Sequence, residues 1–323
     1  MKLVIQIPCY NEENTLEQTL ADLPISIEGI DCIEIQIIDD GSTDRTVEVA
    51  KRWGVQHIVG FKQNRGLAAA FKAGIDKAIV NNADILVNTD ADNQYCGQDI
   101  AKLVQPILRG EADMVIGCRP IDSHPEFSSI KKKLQKIGSW VLRRVSQTKV
   151  KDATSGFRAY SKDALLHINI YSDFSYCLET LIQAGHSNLK IDTVDIGVNP
   201  QTRESRLFRN VFQYIWKQAK TMISIFLLYK ANVLFNILAL IFFLLSILLF
   251  TRYVLLVFFL NAPAGNFWPT VVLSGVTFAI AFQIFLTGIL ASLISSVRKQ
   301  SEDINYRIKK LDVFETKKEN EIK

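Results

Sequence analysis

Residues 85–95 read ILVNTDADNQY, an apolar run that ends in Asp90, Asp92 and Gln94. On an extended backbone, positions two apart share a face, so these three oxygen-bearing side chains are expected to form one row. Two carboxylates that close disfavour joint ionisation, and a divalent cation between them removes the conflict. An all-oxygen ligand set suits Mg²⁺ or Mn²⁺ over zinc, and Mg²⁺ keeps positions for the phosphates of a substrate. The chemistry such a corner would serve is departure of a diphosphate. For this motif alone, a turn with two solvated acids is the competing explanation.

Hydrophobic periodicity gives the strands and helices around this row. KLVIQIP, IEIQIIDD, VQHIVGF, ADILVNTD and ADMVIGCR are short and β-branched, and NTLEQTLADL, STDRTVEVAKRW, GLAAAFKAGIDKAI and GQDIAKLVQPIL separate them with helical spacing. Strand and helix alternating in this way predict a mostly parallel sheet covered by helices on both faces. Ligands of such sheets sit at the carboxyl ends of the strands. PCYNEEN, DDGSTD and DADNQ close the first, second and fourth apolar runs, so the polar clusters are expected at one edge. VKDATSGFRAYSKDAL reads as turn residues followed by a helix, and LKIDTVDIGVNPQTRESRLF as a strand followed by a charged loop.

The whole chain has 323 residues and a formal net charge of +4. Its start, MKLVIQIP, is too short an apolar run for a secretory signal and predicts a strand in the cytosol. Five cysteines, none in a C-x-x-C pair, indicate neither a disulfide framework nor a thiolate metal site. A dinucleotide oxidoreductase would carry G-x-G-x-x-G after the first strand, where PCYNEEN stands instead.

Two apolar blocks follow. ANVLFNILALIFFLLSILLF (231–250) is uncharged, and at about 1.5 Å rise per residue it matches a hydrocarbon core about 30 Å thick. The second runs from Phe267 to Val297. Lys217, Lys220 and Lys230 precede the first, and Arg298, Lys299, Lys309 and Lys310 follow the second, so both ends are expected in the cytosol. Gly288, Ser292 and Ser296 form a small-residue face, expected to pack within the hairpin in preference to an oligomer seam. SSIKKKLQKIGSWVLRRVSQ places apolar residues on one helical face and cations on the rest, the pattern of a helix lying in the membrane surface. No aromatic stacking platform accompanies these cations, so nucleic acid is not an expected partner.

Taken in order, PCYNEEN, DDGSTDRT, NRGLAAAFKAG, DADNQ, IGCR and DATSGFRAYSKDAL resemble the inverting glycosyltransferases of GT-A fold. Within them the match is to the polyprenyl-phosphate glycosyltransferases, of the dolichol-phosphate mannose synthase and undecaprenyl-phosphate glucosyltransferase type. The resemblance implies an α/β GT-A catalytic domain over 1–207, with the membrane-surface helix near 128–147. A juxtamembrane amphipathic helix over 208–230, a transmembrane hairpin over 231–297 and a charged cytosolic tail over 298–323 complete the expected organisation. The molecule is thus expected to be an integral membrane protein with a cytosolic catalytic domain, at the plasma or inner membrane in a bacterium.

The same resemblance implies a UDP- or GDP-linked sugar as donor, UDP-glucose slightly ahead of GDP-mannose, and a polyprenyl phosphate as acceptor. A homo-oligomer is compatible with it. It implies Pro8, Tyr10 and Glu12 in the nucleotide pocket, Asp40 at the base, Asp90 near ribose and metal, and Asp92 and Gln94 on the metal. Arg119, Ser155 and Arg158 would address phosphates. Family members often carry R-x-x-G-x-S-K before the membrane segment; here RESRLF follows Thr202, lacking the glycine, and Arg203 is the candidate to close over the diphosphate. A lipid phosphate monoester has a second pKa of about 6 and is already largely dianionic at neutral pH, so no strong general base is needed. If a carboxylate assists, Asp152 and Glu179 are the candidates, Asp152 first. A processive polysaccharide synthase, which would need a Q-x-x-R-W motif and more spans, and a non-enzymatic sugar-nucleotide-binding protein are the alternatives.

Replacing Lys131, Lys132 and Lys133 by glutamate should weaken membrane docking more than donor hydrolysis. Vesicle flotation and lipid-acceptor kinetics check this, and unchanged lipid kinetics would remove the surface-helix assignment.

Overall fold

The computed structural model describes residues 1–120, 150, 152–170, 176–200, 211–259 and 263–322. They fall into two compact units, Met1–Thr221 with Glu302–Lys323, and Met222–Ser301.

The first unit is built on a seven-stranded sheet: β1 (Lys2–Cys9), β2 (Cys32–Asp39), β3 (His57–Gly60), β4 (Ile85–Asn88), β5 (Met114–Cys118), β6 (Arg158–Ser161) and β7 (Ile191–Asp195). Their order across the sheet is β3-β2-β1-β4-β6-β5-β7. All neighbours are parallel except β6, which runs antiparallel to both β4 and β5. The five strands expected in the N-terminal part are all present, and so is the strand within LKIDTVDIGV. Strand β6 differs from expectation. RAYS follows a turn and precedes a helix, and four residues starting with a charge carry too little alternation to announce a strand.

Helices α1 (Leu16–Asp22), α2 (Thr46–Arg52), α3 (Leu67–Val80), α4 (Ile100–Leu108), α5 (Lys162–His167) and α6 (Tyr176–His186) surround the sheet. Leu3, Ile5 and Ile7 of β1 join Leu16 and Leu20 of α1, Val49 and Ala50 of α2, and Ile100, Leu103 and Val104 of α4 in one continuous apolar core. The alternate residues of the strands face α3. There Gln36, Gln6 and Asn88 occupy matched positions on β2, β1 and β4, and all three are fully buried. Gln36 Nε2 donates to the Gly74 carbonyl at 2.9 Å and to Gln6 Oε1 at 3.5 Å, and Gln6 Nε2 donates to Asn88 Oδ1 at 3.0 Å. Gly74 leaves the necessary room, because a Cβ there would run into the Gln6 amide.

The second unit contains most of α7 (Val211–Val254), the π-helical turn Leu255–Phe259 and the first part of α8 (Trp268–Ile322). Ala231–Phe259 and Gly265–Val313 are long and apolar enough to cross a membrane. Their apolar side chains are largely exposed, Leu248 by 66% and Ile294 by 70%, which a helix in a water-soluble core would not show. The two helices meet through small residues. Ala239, Ser246, Ser274, Thr277 and Ala281 are buried, and Ser246 Oγ donates to the Ser274 carbonyl at 2.9 Å. Gly288 stands against Phe235 and Asn236, as expected for packing inside the hairpin. Ser292 and Ser296 do not share that contact face and are exposed.

Helix α8 continues past the apolar block to Ile322, so the charged tail is helical. Inside the first unit its later turns pack on α5: Tyr306 OH donates to Asp163 at 3.1 Å, its ring stacks on His167, and Lys309 Nζ donates to the Ile168 carbonyl at 2.7 Å. The expected membrane-surface helix lies in 121–149, outside the described residues. The expected juxtamembrane segment is helical from Val211.

Candidate functional site

The parallel strands β2, β1 and β4 align their carboxyl ends, and the loops leaving them are laced together. Asn11 N–H donates to Ser42 Oγ at 2.9 Å, Glu12 N–H to Thr46 Oγ1 at 2.8 Å and Glu13 N–H to Asp44 at 3.1 Å. Thr43 N–H returns a bond to Asn11 Oδ1 at 2.8 Å. PCYNEEN and DDGSTD therefore form one rigid floor. Pro8 is the penultimate residue of β1, Tyr10 is 42% exposed on this floor, and Glu12 is buried with its carboxylate accepting from Thr15 Oγ1 at 2.8 Å.

Asp40 serves a third loop. Its two carboxylate oxygens accept from the Arg65 and Gly66 amides at 2.7 and 2.9 Å, fixing NRG where α3 begins. Gly41 permits that approach. Its φ is +74°, and a Cβ would lie 2.6 Å from the Gln63 backbone. Asp39, one residue earlier and equally buried, holds the same turn through the Ser42 amide at 3.1 Å. The double acid in DDG is its sequence signal.

At the end of β4 the row of acids is present, though the backbone is not extended as expected. The strand stops at Asn88, residues 91–93 turn, and Asn93 takes a left-handed φ of 55°. Gln94 N–H donates to Asp92 Oδ1 at 3.2 Å, a local bond typical of Asx turns. The alternation survives the turn: Ala91, Asn93 and Tyr95 are buried, whereas Asp90, Asp92 and Gln94 are half-buried. Thr19 Oγ1 ties the Ala91 carbonyl to α1 at 3.0 Å. From the other side, Asn199 donates through its amide N–H to the Gln94 carbonyl at 2.9 Å and through Nδ2 to the Asn93 carbonyl at 3.1 Å. Arg203 lies outside the described residues.

Among the described residues no three His, Cys, Asp or Glu side chains converge on one point. Two carboxylates and an amide oxygen are nevertheless a fitting partial set for Mg²⁺ or Mn²⁺, which draw their remaining ligands from phosphate and water. Gly156 makes space beside them: a Cβ there would sit 3.3 and 3.5 Å from the Asp90 carboxylate oxygens.

Arg119, just past β5, is paired with Asp152. Nε donates to Oδ2 at 2.7 Å and Nη2 to Oδ1 at 3.1 Å, and Nη2 also donates to Thr154 Oγ1 at 3.0 Å. Burial by itself would push the Asp152 carboxyl up, but the charge and hydrogen bonds of Arg119, with Thr154, outweigh it and hold the group below its ordinary range. Burial likewise disfavours the Arg119 cation, and the charge and hydrogen bonds of Asp152 more than restore it. A carboxylate held low in this way is a weak proton acceptor.

Arg158 and Ser155 stand differently from expectation. Arg158 is fully buried, and its guanidinium donates to the carbonyls of Ala153, Ser155 and Cys177, each at 2.7 Å, and to Thr180 Oγ1 at 2.9 Å. Ser155 is also fully buried, its Oγ accepting from the Phe157 amide at 3.3 Å. Both shape the 152–158 turn from inside the protein, and Arg119, 19% exposed, is the member of the three with solvent access. Glu179 is buried on α6, within YCLETLIQAG.

A model of the family described as glycosyl transferase family 2 matches residues 4–168. Over 212 residues the chain is 32% identical to a UDP-N-acetylglucosamine–dolichyl-phosphate N-acetylglucosaminyltransferase of Methanococcus voltae, covering 59% of this chain and 82% of the relative. It is 27% identical over 227 residues to a dolichol-phosphate mannosyltransferase of Pyrococcus furiosus, covering 67% and 62%. Among solved structures, glucosyl-3-phosphoglycerate synthase of Mycobacterium tuberculosis, crystallised with Mn²⁺, UDP and glucosyl-3-phosphoglycerate, superposes with a TM-score of 0.52 at 20% identity. That likeness covers 69% of this chain and 77% of the synthase, and it is one of fold.

Arg119→Met should destabilise the catalytic domain by about 3–5 kcal/mol, because it leaves Asp152 buried without its partner. The pH dependence should change sign as well. In the wild type Asp152 stabilises the fold above its unfolded pKa, and that contribution is lost as pH falls through its depressed folded value. In the variant burial raises the carboxyl, so acidification should relieve the strain of charge burial. Thermal unfolding of both proteins across an acid pH series checks this.

Proposed function

The chain belongs to glycosyl transferase family 2, and on that premise we propose that it transfers a single sugar from a nucleotide-sugar donor to a polyprenyl phosphate, with inversion at the anomeric carbon. UDP-glucose is ranked ahead of GDP-mannose as donor. One observation carries the proposal: Asp90, Asp92 and Gln94 alternate with buried neighbours, so three oxygen-bearing side chains line the carboxyl edge of a parallel sheet. The names of the two relatives support the acceptor class, since both are dolichyl-phosphate transferases that differ in sugar.

In this assignment Asp90, Asp92 and Gln94 hold Mg²⁺ or Mn²⁺, which when bound neutralises charge on the departing nucleotide diphosphate. Pro8, Tyr10 and Glu12 carry the nucleotide on the laced floor, and Asp40 keeps the NRG loop closed beside the base. Arg119 directs positive charge toward the phosphates from the rim, while Ser155 and Arg158 hold the turn behind it. The lipid phosphate supplies its own negative oxygen, so the depressed Asp152 is not required to accept a proton. Positioning the acceptor oxygen opposite the leaving diphosphate then gives a single in-line displacement.

Two helices long and apolar enough to cross a membrane support a membrane-bound enzyme, and the cations flanking them support a cytosolic catalytic domain. A lipid acceptor is consistent with that placement.

The test is direct. Purified protein, Mg²⁺ and polyprenyl phosphate are incubated with a panel of radiolabelled nucleotide sugars, and label is followed into the organic phase. UDP-glucose should give the largest transfer, and Asp92→Asn should reduce it by more than about 100-fold without loss of the folded state. Full activity in that variant would overturn the metal assignment.

A further inference from the structure

Asn88, the last residue of β4, makes contacts that none of the roles above uses. It is fully buried. Its Oδ1 accepts from Gln6 Nε2, and its Nδ2 donates both to the Gly156 carbonyl and to the Tyr176 hydroxyl, each at 3.0 Å. Tyr176 is fixed in turn by stacking on Phe71, with ring centroids 3.9 Å apart and planes 14° from parallel.

These groups stand directly behind Asp90. A Cβ on Gly156 would lie 2.8 Å from the Tyr176 hydroxyl and 3.3 Å from Asp90 Oδ1, so the phenol and the carboxylate both border the space that the glycine leaves open. The Gly156 amide is pinned from the far side, donating to Tyr95 OH at 3.2 Å. Asn88 gives both Nδ2 hydrogens to this wall, and the Tyr176 oxygen accepts one of them.

We propose that Asn88 and Tyr176 are positioning residues for Asp90: the amide fixes the phenol and the Gly156 backbone, and these fix the carboxylate in the orientation needed to hold a divalent cation against a nucleotide diphosphate. The proposal rests on the glycosyl-transfer function above and adds the residues that set the geometry of its acid pair. Groups that orient a metal-binding carboxylate influence metal affinity without touching the ion.

Tyr176→Phe is the sharper variant, because it keeps the ring and its stacking on Phe71 and removes only the hydroxyl. Asn88→Ala is its companion. The full-length protein in detergent is titrated with Mn²⁺ in the presence of UDP, followed by electron paramagnetic resonance, and transfer kinetics are measured in parallel. Each variant should bind Mn²⁺ about tenfold or more weakly and show a lower kcat, with KM for polyprenyl phosphate unchanged. If Asn88→Ala does not fold, Tyr176→Phe decides. Wild-type Mn²⁺ affinity and kcat in folded Tyr176→Phe would overturn the positioning role alone. Failure of the wild-type protein itself to bind Mn²⁺ with UDP would overturn the metal reading and this inference with it.

Discussion

Two carboxylates separated by one alanine stand where β4 leaves the sheet, and like charges that close do not stay in place unless their surroundings hold them. The structure holds them from three directions. Thr19 anchors the Ala91 carbonyl from α1, Asn199 clasps the backbone at Asn93 and Gln94, and Gly156 lets the 152–158 turn come up against Asp90. What these restraints have in common is that they act on the backbone or on the back of the carboxylate. In the proposed function the half-buried side chains of the row are the ones that meet a ligand of opposite charge.

The sheet contributes through its polar interior. Gln36, Gln6 and Asn88 are buried at matched positions on three neighbouring strands, and leaving any such amide unsatisfied would cost about 1–3 kcal/mol. A one-residue slip would carry these amides to the apolar α1–α4 face, so the row penalises that slip. Fixed register aligns the ends of β2, β1 and β4, and aligned ends bring PCYNEEN, DDGSTD and DADNQ to one edge. The buried Arg158, opposite Asn88 on β6, extends the same row and ties the 152–158 turn to α6.

Much of this was legible in the sequence. Strong β-branched runs announced the parallel strands, and the polar clusters that end them announced the site edge, because burial on both faces demands continuous apolar residues and catalysis does not. Three features were not legible. RAYS is too short and too polar to signal β6. Arg158 has the composition of a ligand-binding arginine, and only its four protein acceptors show that it points inward. Gln6, Gln36 and Asn88 pass for ordinary strand polarity until their common depth is seen. A polar residue at the same height in VIQI, EIQI and LVNT was the signal available. In the apolar hairpin, Gly288 follows the expected small-residue logic, yet its partners along α8 are Ser274 and Ala281 at seven-residue spacing, not Ser292 and Ser296.

The proposed chemistry depends most on where a divalent cation sits. Crystals grown with Mn²⁺ and UDP, measured at the manganese absorption edge, locate that ion without reference to activity. An anomalous peak within coordination distance of the Asp92 carboxylate and of the diphosphate oxygens is the predicted result. A nucleotide bound in the cleft with no such peak beside Asp90 and Asp92 would contradict it.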